Sequence, residues 1–566
     1  MINDIKTEIK NKIKEYFDNK YDNNFEIIIE EPKKQLLGDI AIPTFGIVKI
    51  LRKPPFEIAN EIKEVLKDTD LSISKIDVVG GYVNIFVDRT KLAKEILVEA
   101  LTKNSEYGTN NIGEGKMITM DYSSPNIAKS FSIGHLRSTM IGNSLKLILG
   151  KCGYKTYTIN YLGDWGTQFG KMIVAYEKWG DLDAIKKDPI NELTKLYVRF
   201  HNEAESHPEY EELAREAFKK IEDREPKYLK LWEWIREESL KESKEIYEIL
   251  KVNFDSYRGE SFYNDKMDAV VDELEQKGLL KLDSGAQIVD LGDDMPPALI
   301  KRSDGGSLYI TRDLAAIFYR KKVTNFDKIL YVVGNEQKLH FEQLKALVKK
   351  MGYDFYDDII HVNFGLYLTN GKKVSTRSGN VTRLKDVLDK AISMAYDQIN
   401  EKNPDLSNKI EIATSVGIAS IVFADLKNYR GLDIEFDLDQ ATKFEGQTGP
   451  YLQYTGVRIA SIIKDSKIDL DNIDYSLFEK ENYFELVKLV GDFKDVIIGA
   501  AKEYAPSVIA RYLLDLASSF NKFYASEKIN SEDEIIRNTN YALAKSVRIV
   551  LNEGLRLLGI KYLEKM

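Results

Sequence analysis

Residues 117–161 read MITMDYSSPNIAKSFSIGHLRSTMIGNSLKLILGKCGYKTYTINY, and this stretch decides the fold. The apolar run at 117–122 suits a buried strand, while the apolar positions of 135–149 repeat with the spacing of one helix face. Residues 155–161 are strand-like again. The same order returns later in the chain at 328–333, 338–350 and 359–364. Two such units predict an α/β fold with a parallel sheet, whose carboxyl edge suits a nucleotide.

The sequence on either side of this sheet predicts further domains. A chain of 566 residues is too long for one core, since cores stop growing at roughly 250 to 300 residues. The first part has mixed character, and its predicted elements are a helix at 2–17, a strand at 25–29, a helix at 56–66 and a strand at 82–87. Residues 176–290 are charged and mostly helical in pattern, which indicates an insertion within the α/β unit. Because the pattern is helical from about residue 441, we expect domains at 1–108, 109–440 and 441–566.

Charge and cysteine content narrow the class of protein. The net charge of −9 argues against a broad basic surface that coats nucleic acid, although a local basic stripe stays possible. Cys152 is the only cysteine, so no internal disulfide can form, which fits a reducing compartment. The sequence contains no readable signal peptide and no apolar run long enough to cross a bilayer, so we expect a cytoplasmic protein without membrane contact.

The most informative motif is the polar loop from Asp121 to Arg137, which leaves the first predicted strand and enters the predicted helix. It places Gly134 and His135 at the helix start. Glycine lets a ligand approach the backbone closely, and a helix N-terminus favours anions such as phosphate. A lone histidine in this position is more often a cap or a surface residue, so the motif needs support from the rest of the chain.

That support comes from a family resemblance. The loop resembles the first signature of arginyl-tRNA synthetases, whose class I form is His-x-Gly-His. Here Ser132 replaces the first histidine, while Gly134 and His135 match. The family context Ser-Ser-Pro-Asn-Ile-Ala-Lys stands in full at 123–129 and is more specific than the tetrapeptide.

A second stretch, GKKVSTRSGN at 371–380, would by itself be interpreted as a solvated turn. It resembles the Lys-Met-Ser-Lys-Ser loop that closes on ATP phosphates in class I synthetases. Lys373 and Ser375 match that loop, while its second lysine falls on Thr376 and Arg377. In this subgroup a lysine before the first motif is thought to compensate, and Lys129 occupies that place.

Further segments match the same family in order, at 161–170, 309–313, 333–337, 449–454 and 515–517. The resemblance implies a Rossmann-like catalytic domain with a helical insertion, an N-terminal α+β tRNA-binding domain and a C-terminal all-α anticodon-binding domain. It also implies an enzyme that attaches L-arginine to tRNA(Arg) through an arginyl-adenylate. ATP with Mg²⁺ would be the co-substrate, no cofactor would be tightly bound, no metal would be held by protein ligands, and the protein would be a monomer.

The resemblance also implies residue roles. The catalytic residues would be His135, Lys129, Lys373 and Arg377, and the ATP-binding residues would be Ser132, Gly134, His135, Lys373 and Ser375. The arginine-binding residues would be Asp121, Asn126, Tyr309, Asp313 and Gln337. The residues in contact with tRNA would be Asn84, Phe86, Tyr451, Tyr454, Arg458, Lys545, Arg548 and Arg556. Asp313 is the chemically distinctive member, since a carboxylate offers a guanidinium fork two parallel acceptors.

Each role has a simpler alternative. Asp313 could form a structural ion pair with Arg312 or Lys321, and Asn84 and Phe86 could be structural residues of a strand. The basic face of the helix predicted at 540–558 could be solvated. For the whole chain, the alternatives are a class I synthetase for another amino acid, a catalytically silent RNA-binding paralogue and a generic nucleotide-binding protein.

Overall fold

A computed structural model describes residues 2–21, 25–32, 37–67, 69, 71–127, 131–302, 309–369, 371–373, 383–464 and 466–566. Three predicted site residues, Lys129, Ser375 and Arg377, lie outside these ranges, as does the side chain of Lys373. The strands are β1 Ile40–Pro43, β2 Ile73–Val79, β3 Tyr82–Val87, β4 Met117–Asp121, β5 Lys155–Ile159, β6 Leu280–Asp283, β7 Ala286–Val289, β8 Ala298–Lys301, β9 Lys328–Tyr331, β10 Ile359–His361, β11 Tyr367–Thr369, β12 Lys372–Lys373 and β13 Ile434–Glu435.

The helices outnumber the strands. Those before residue 300 are α1 Ile2–Tyr21, α2 Val48–Leu51, α3 Pro55–Lys67, α4 Arg89–Lys103, α5 Ile133–Lys151, α6 Thr167–Trp179, α7 Leu182–Lys187, α8 Pro189–Ser206, α9 Glu209–Glu222, α10 Pro226–Leu250 and α11 Met267–Gln276. The later ones are α12 Tyr309–Thr324, α13 Lys338–Lys350, α14 Leu384–Lys402, α15 Lys409–Leu426, α16 Leu438–Ala441, α17 Gly449–Ile463, α18 Glu481–Glu503, α19 Pro506–Ser526 and α20 Glu534–Leu557.

The predicted parallel sheet is confirmed. Its strand order is β10-β9-β4-β5, and all three pairings are parallel. Both predicted units are present, with α5 between β4 and β5 and α13 between β9 and β10. Asp121, the last residue of β4, pairs with Ile159 of β5 and Tyr331 of β9. The end of β4 therefore lies in the middle of the carboxyl edge, where α/β sheets bind ligands.

The N-terminal domain is built on an antiparallel sheet with the order β1-β3-β2. Helix α1 buries Ile9, Ile13 and Phe17 at helical spacing, as its pattern predicts. The strand predicted at 25–29 is wrong, because that extended segment meets the sheet only through an isolated bridge between Glu30 and Ala41. Alternating apolar residues are necessary for a strand, but a ladder also needs a neighbouring edge to pair with.

The insertion is helical from α6 to α10, as predicted, and its aromatic residues form a separate core around Phe169. Strands β6 and β7 at its end form an antiparallel sheet with β8, which follows the insertion, and the prediction of a mostly helical segment missed these strands. Ser284 and Gly285 form the two-residue hairpin loop with φ of 48° and 82°. Two successive positive φ values are the signature of a type I′ turn, so a short local signal specified this hairpin.

The C-terminal part is a bundle of α17 to α20, in agreement with the helical pattern after residue 441. Helix α20 buries the apolar face that its sequence predicts, and that face includes Leu543, Val547, Val550 and Leu551. The bundle packs directly on α5, since Ser144 donates a hydrogen bond from Oγ to the Leu557 carbonyl over 2.7 Å. The helix that begins at the sheet edge thus also contacts the C-terminal domain.

Candidate active site

The turn before α5 orients the His135 ring. The backbone N–H of Ser132 donates to His135 Nδ1 over 3.0 Å, and Ser132 Oγ lies 3.1 Å from the same nitrogen. Since Nδ1 accepts a hydrogen bond, the neutral ring carries its proton on Nε2, which is then a donor. Gly134, beside it, is exposed at the first turn of the helix. The backbone N–H of Ser132 therefore sets the tautomer of His135.

The backbone between β4 and α5 is strained. Ser123 and Ser124 follow Asp121 with φ of 72° and 43°, a region that residues other than glycine rarely occupy. Hydrogen bonds hold them there: Ser123 N–H donates to Ser138 Oγ over 2.8 Å, and Ser124 Oγ donates to Asp121 Oδ1 over 2.9 Å. Strain of this kind persists only where the surroundings enforce it, and here it lies at the sheet's carboxyl edge.

Helix α12 presents Tyr309 and Asp313 on one face, since they are four residues apart. Asp313 is 22% exposed. Tyr161 donates from its hydroxyl to Asp313 Oδ1 over 3.1 Å, and His340 Nε2 lies 2.7 Å from Oδ2. Arg312 pairs with Glu260 at 3.2 Å. Lys321, the other cation considered above, donates to the Phe326 carbonyl over 2.5 Å. The described contacts of these two cations therefore do not favour a structural ion pair with Asp313.

Asp121 is only 2% exposed, and its Oδ2 lies 2.8 Å from Nη1 of Arg320. Burial raises the pKa of the Asp121 carboxyl, and Arg320 opposes that rise. The Arg320 guanidinium also lies 4.9 Å from the ring centre of Tyr161 and 5.6 Å from that of Tyr331. Asp121 thus holds Arg320 within an aromatic enclosure beside Asp313, and its burial argues against direct contact with substrate.

Glu260 is a buried carboxylate near Asp313 that the sequence analysis did not identify. Its backbone N–H donates to the Leu162 carbonyl over 2.9 Å, which fixes it next to the segment that supplies Tyr161. Burial raises the pKa of Glu260 to about 7, with Arg312 opposing the rise and Asp313 adding to it. Nothing in the local sequence singles out this glutamate, since only the fold brings it close to Asp313.

Three other predicted arginine-binding residues are exposed: Asn126, Tyr309 and Gln337. Asn126 forms a parallel bridge with Gly163, whose Cβ, if present, would lie 2.3 Å from the Asn126 amide oxygen. Gln337 immediately precedes α13, one turn before His340. These residues border the Asp313 region with side chains open to a ligand, and their role stays a prediction.

The described chain that follows the second signature contacts the first signature. Ser132 forms an antiparallel bridge with Arg383, and the Leu384 N–H donates to the Phe131 carbonyl over 2.9 Å. The start of α14, which follows the second signature, therefore lies against the turn that carries His135. The assignments of Lys129, Lys373, Ser375 and Arg377 are not tested, because three of these residues and the Lys373 side chain lie outside the described residues.

The predicted tRNA contacts differ in accessibility. Asn84 lies on β3, the central strand between β1 and β2, and is 4% exposed. Phe86, on the same strand, is partly buried, and Lys75 Nζ lies 5.2 Å from its ring centre. These surroundings favour the structural alternative for Asn84.

Tyr454, Arg458 and Tyr451 form a polar and aromatic surface on α17. Arg458 lies 5.0 Å from the Tyr454 ring centre, and it donates to Asn521 Oδ1 over 2.9 Å. Asn521 in turn donates to the Tyr451 hydroxyl over 2.9 Å. Tyr454 is exposed, so this cluster offers an aromatic face and a cation side by side.

The basic face of α20 is partly neutralised. Arg548 pairs with Glu564, and Arg556 pairs with Glu553 at 2.7 Å, while Lys545 is partly buried. Two of the three cations thus have acidic partners, so this face is not simply solvated.

Family descriptions match three parts of the chain. Residues 96–438 match "tRNA synthetases class I (R), catalytic domain", residues 452–566 match "DALR anticodon binding domain", and residues 3–87 match "Arginyl tRNA synthetase N terminal domain". The first match covers more than half of the chain and includes the sheet, the His135 turn and Asp313. Fold and site therefore define a class I aminoacyl-tRNA synthetase.

Similarity to curated proteins identifies the family within that class. The "Arginine--tRNA ligase" of Ligilactobacillus salivarius is 51% identical over 537 residues, which cover 94% of each chain. That of Streptococcus uberis is 48% identical over 565 residues, which cover 100% of each chain. The chain belongs to the arginyl-tRNA synthetase family. This result excludes a class I synthetase for another amino acid and a generic nucleotide-binding protein.

Solved structures confirm the fold. The arginyl-tRNA synthetases of Plasmodium falciparum and Thermus thermophilus superpose with TM-scores of 0.82 and 0.80 at 23% and 24% identity, and each comparison covers at least 99% of both chains. A methionyl-tRNA synthetase of Mycobacterium tuberculosis has a TM-score of 0.50 at 10% identity over 79% of this chain and 91% of that one. Within the described ranges, no helix combines the length and apolar character that a membrane span requires.

Proposed function

We propose that Asp313 and Glu260 hold the guanidinium of L-arginine in an enzyme that attaches arginine to tRNA at the expense of ATP. The charges of the described site support this assignment. Three carboxylates, those of Asp121, Asp313 and Glu260, stand against two guanidinium groups, those of Arg312 and Arg320. When all three carboxylates are ionised, the site lacks one positive charge, which the side chain of arginine supplies.

The shape of the acceptor supports arginine over lysine. A guanidinium fork can donate two parallel hydrogen bonds to a carboxylate such as Asp313, whereas an ammonium is a point donor. Lysine in this site would leave buried acceptors short of partners, which lowers its affinity.

Activation joins the arginine carboxylate to the α-phosphate of ATP. The carboxylate oxygen attacks the α-phosphorus, the bond to the β-phosphate oxygen breaks, and pyrophosphate leaves. A hydroxyl of the tRNA 3′-terminal ribose then attacks the carbonyl of the arginyl-adenylate, and AMP leaves. Since substrates supply both nucleophiles, the protein contributes positioning and compensation of the developing charge.

On the ATP side, the arrangement of His135 supports a donor role. Nδ1 accepts from Ser132, so Nε2 carries the proton that can be donated to a phosphate oxygen. The exposed start of α5, next to Gly134, adds backbone N–H groups and the positive end of the helix dipole. Lys129, Lys373, Ser375 and Arg377 complete the phosphate site in this proposal.

Mg²⁺ enters this proposal with the nucleotide. Among the residues that the structure describes, no group of three or more His, Cys, Asp or Glu side chains could hold a metal ion. Mg²⁺ is commonly bound through substrate phosphates and water with few protein ligands, so its ligands here would come mainly from the triphosphate.

The remaining proposals concern the whole chain. We propose that it acts as a cytoplasmic monomer with domains at 1–108, 109–440 and 441–566. In this arrangement the surface of Tyr451, Tyr454 and Arg458 contacts tRNA. Lys545, Arg548 and Arg556 would contact it too, and so would Asn84 and Phe86 in the N-terminal domain.

The decisive experiment on the arginine site uses Asp313→Asn. Removing one partner of a charge pair in a partly buried site should weaken arginine recognition by roughly 3 to 5 kcal/mol. We expect the KM for arginine to rise by at least 100-fold in ATP–pyrophosphate exchange with tRNA present, while the KM for ATP stays within about threefold. A variant with a near-normal arginine KM would refute the assignment. Asp290→Asn, in an exposed loop after β7, is the matched control and should behave as wild type.

A further inference from the structure

The carboxylate of Asp313 has two protein donors from two separate elements. Tyr161, which follows β5, donates to Oδ1, and His340, in the first turn of α13, reaches Oδ2 over 2.7 Å. The His340 contact is the shorter of the two. His340 and Asp313 are exposed to similar extents, so the pair lies at the edge of the site and not in the core.

The chemistry of the pair fixes the His340 tautomer. A carboxylate oxygen only accepts, so the short contact requires His340 to donate its Nε2–H. Each carboxylate oxygen has about two acceptor positions, and Tyr161 and His340 each use one. The remaining positions on Oδ1 and Oδ2 can both accept from a planar fork, provided that the carboxylate does not rotate about its Cβ–Cγ bond.

The position of α13 explains why His340 can hold Asp313. Phe341, the next residue, packs on Tyr331 of the sheet with ring centres 4.9 Å apart and on His361 at 4.6 Å. These buried contacts fix the start of α13 against the end of β9. Gln337 lies three residues before His340, on the same side of that turn. The backbone that carries His340 is therefore anchored independently of Asp313.

We propose that His340 is a specificity-determining positioning residue for arginine. It donates to Asp313 Oδ2 and holds the carboxylate plane in the orientation that a guanidinium fork requires, without touching the substrate itself. Loss of the donor lets the carboxylate rotate, so arginine binding weakens while ATP binding does not change. This inference rests on the proposed role of Asp313.

The test compares two substitutions at position 340. His340→Leu removes the donor, and His340→Gln restores an N–H donor at a similar reach. We expect the KM for arginine to rise about 10- to 100-fold in the leucine variant, the range for a hydrogen bond to a charged group. The glutamine variant should stay within about fivefold of wild type, and the KM for ATP should stay within about threefold in both. Isothermal titration calorimetry with arginine checks whether the Kd of each variant changes, relative to wild type, by the same factor as its KM.

Asp313→Asn and the double variant with His340→Leu separate the possible results. If His340 acts through Asp313, the double variant is no weaker for arginine than Asp313→Asn alone. A normal arginine KM in His340→Leu, equal losses in the leucine and glutamine variants, or a matching rise in the KM for ATP would each overturn the positioning role. If Asp313→Asn itself bound arginine normally, the proposed arginine site would fail instead. His207→Leu, on the exposed surface of the insertion, is the control histidine.

Discussion

At the scale of single residues, Glu260 combines burial with a second carboxylate nearby, and this combination predicts pH-dependent arginine binding. Its pKa is raised to about 7 by burial, with Asp313 adding to the rise. A guanidinium favours the ionised carboxylate, so binding draws the proton off below pH 7. We therefore expect arginine affinity to increase as pH rises from about 6 to 8, measured by isothermal titration. The Glu260→Gln variant should lose roughly tenfold in affinity at pH 8.

The same residue should oppose stability in the free protein. A carboxyl whose folded pKa lies above its unfolded value stabilises the fold at low pH, and this contribution is lost as pH rises through about 7. The unfolding temperature of Glu260→Gln, relative to that of wild type, should therefore be higher at pH 8 than at pH 5. For the binding prediction, Glu260 would not be the titrating group if arginine affinity depended on pH in the same way in wild type and in Glu260→Gln.

Sequence reasoning reached part of this site. His135 and Asp313 could be identified from the sequence because they lie in recognisable segments, and the structure places both at the carboxyl edge of the sheet. Tyr161, Glu260 and His340 were not assigned a role, although Tyr161 lies in a matching segment. Tyr161 and His340 lie 152 and 27 positions from Asp313 and form hydrogen bonds with it. Glu260 lies 53 positions away and influences it electrostatically. Only the packed fold creates these neighbours.

At the scale of elements, α5 is held by a buried ion pair that begins two residues after His135. Arg137 donates from Nε to Asp425 of α15 over 3.1 Å and from Nη1 to the Leu432 carbonyl over 2.8 Å. Both members of the pair are 1% exposed. Removing one partner leaves an uncompensated buried charge, so Arg137→Met should destabilise the fold by about 3 to 5 kcal/mol.

Thermal unfolding of the single and double variants checks this prediction. Arg137→Met combined with Asp425→Leu should unfold at a higher temperature than Arg137→Met alone, since the double variant leaves no buried carboxylate. If the loss of stability in the double variant equalled the sum of the losses in Arg137→Met and Asp425→Leu, the pair would not hold α5. Activity should fall with Arg137→Met as well, because His135 stands on the same helix.

The elements themselves were predictable where the periodicity was long. The spacing of apolar residues identified α5, α13 and α20, and each buries the expected face. The strand at 25–29 failed because alternation cannot show whether a partner edge exists, and β6 to β8 were missed because their four-residue strands are too short for a clear period. Their detection needed the turn at Ser284 and Gly285 rather than the strands.

At the scale of the whole molecule, α5 joins the sheet edge to the C-terminal bundle. It begins at the turn that orients His135 and ends at Lys151, whose Nζ lies 2.9 Å from Glu553 of α20. Both side chains are buried, and Lys151 also donates to the Ser105 carbonyl over 2.6 Å. Arg556, on the other side of Glu553, is 46% exposed. A rigid helix thus connects the candidate ATP site to a helix of the anticodon-binding domain.

The buried half of this joint should matter far more than the exposed half. Lys151→Met leaves Glu553 buried with only a surface arginine as partner, so we expect a loss of about 3 to 5 kcal/mol and a lower temperature for the first unfolding transition. Arg556→Ala leaves the pair of Lys151 and Glu553 intact. Because Arg556 is itself half exposed, its loss should cost only about 1 kcal/mol, and the variant should unfold close to wild type. Differential scanning calorimetry of the two variants measures the contrast. Equal losses would mean that Glu553 depends on both cations alike, and that Lys151 is not the main partner of Glu553.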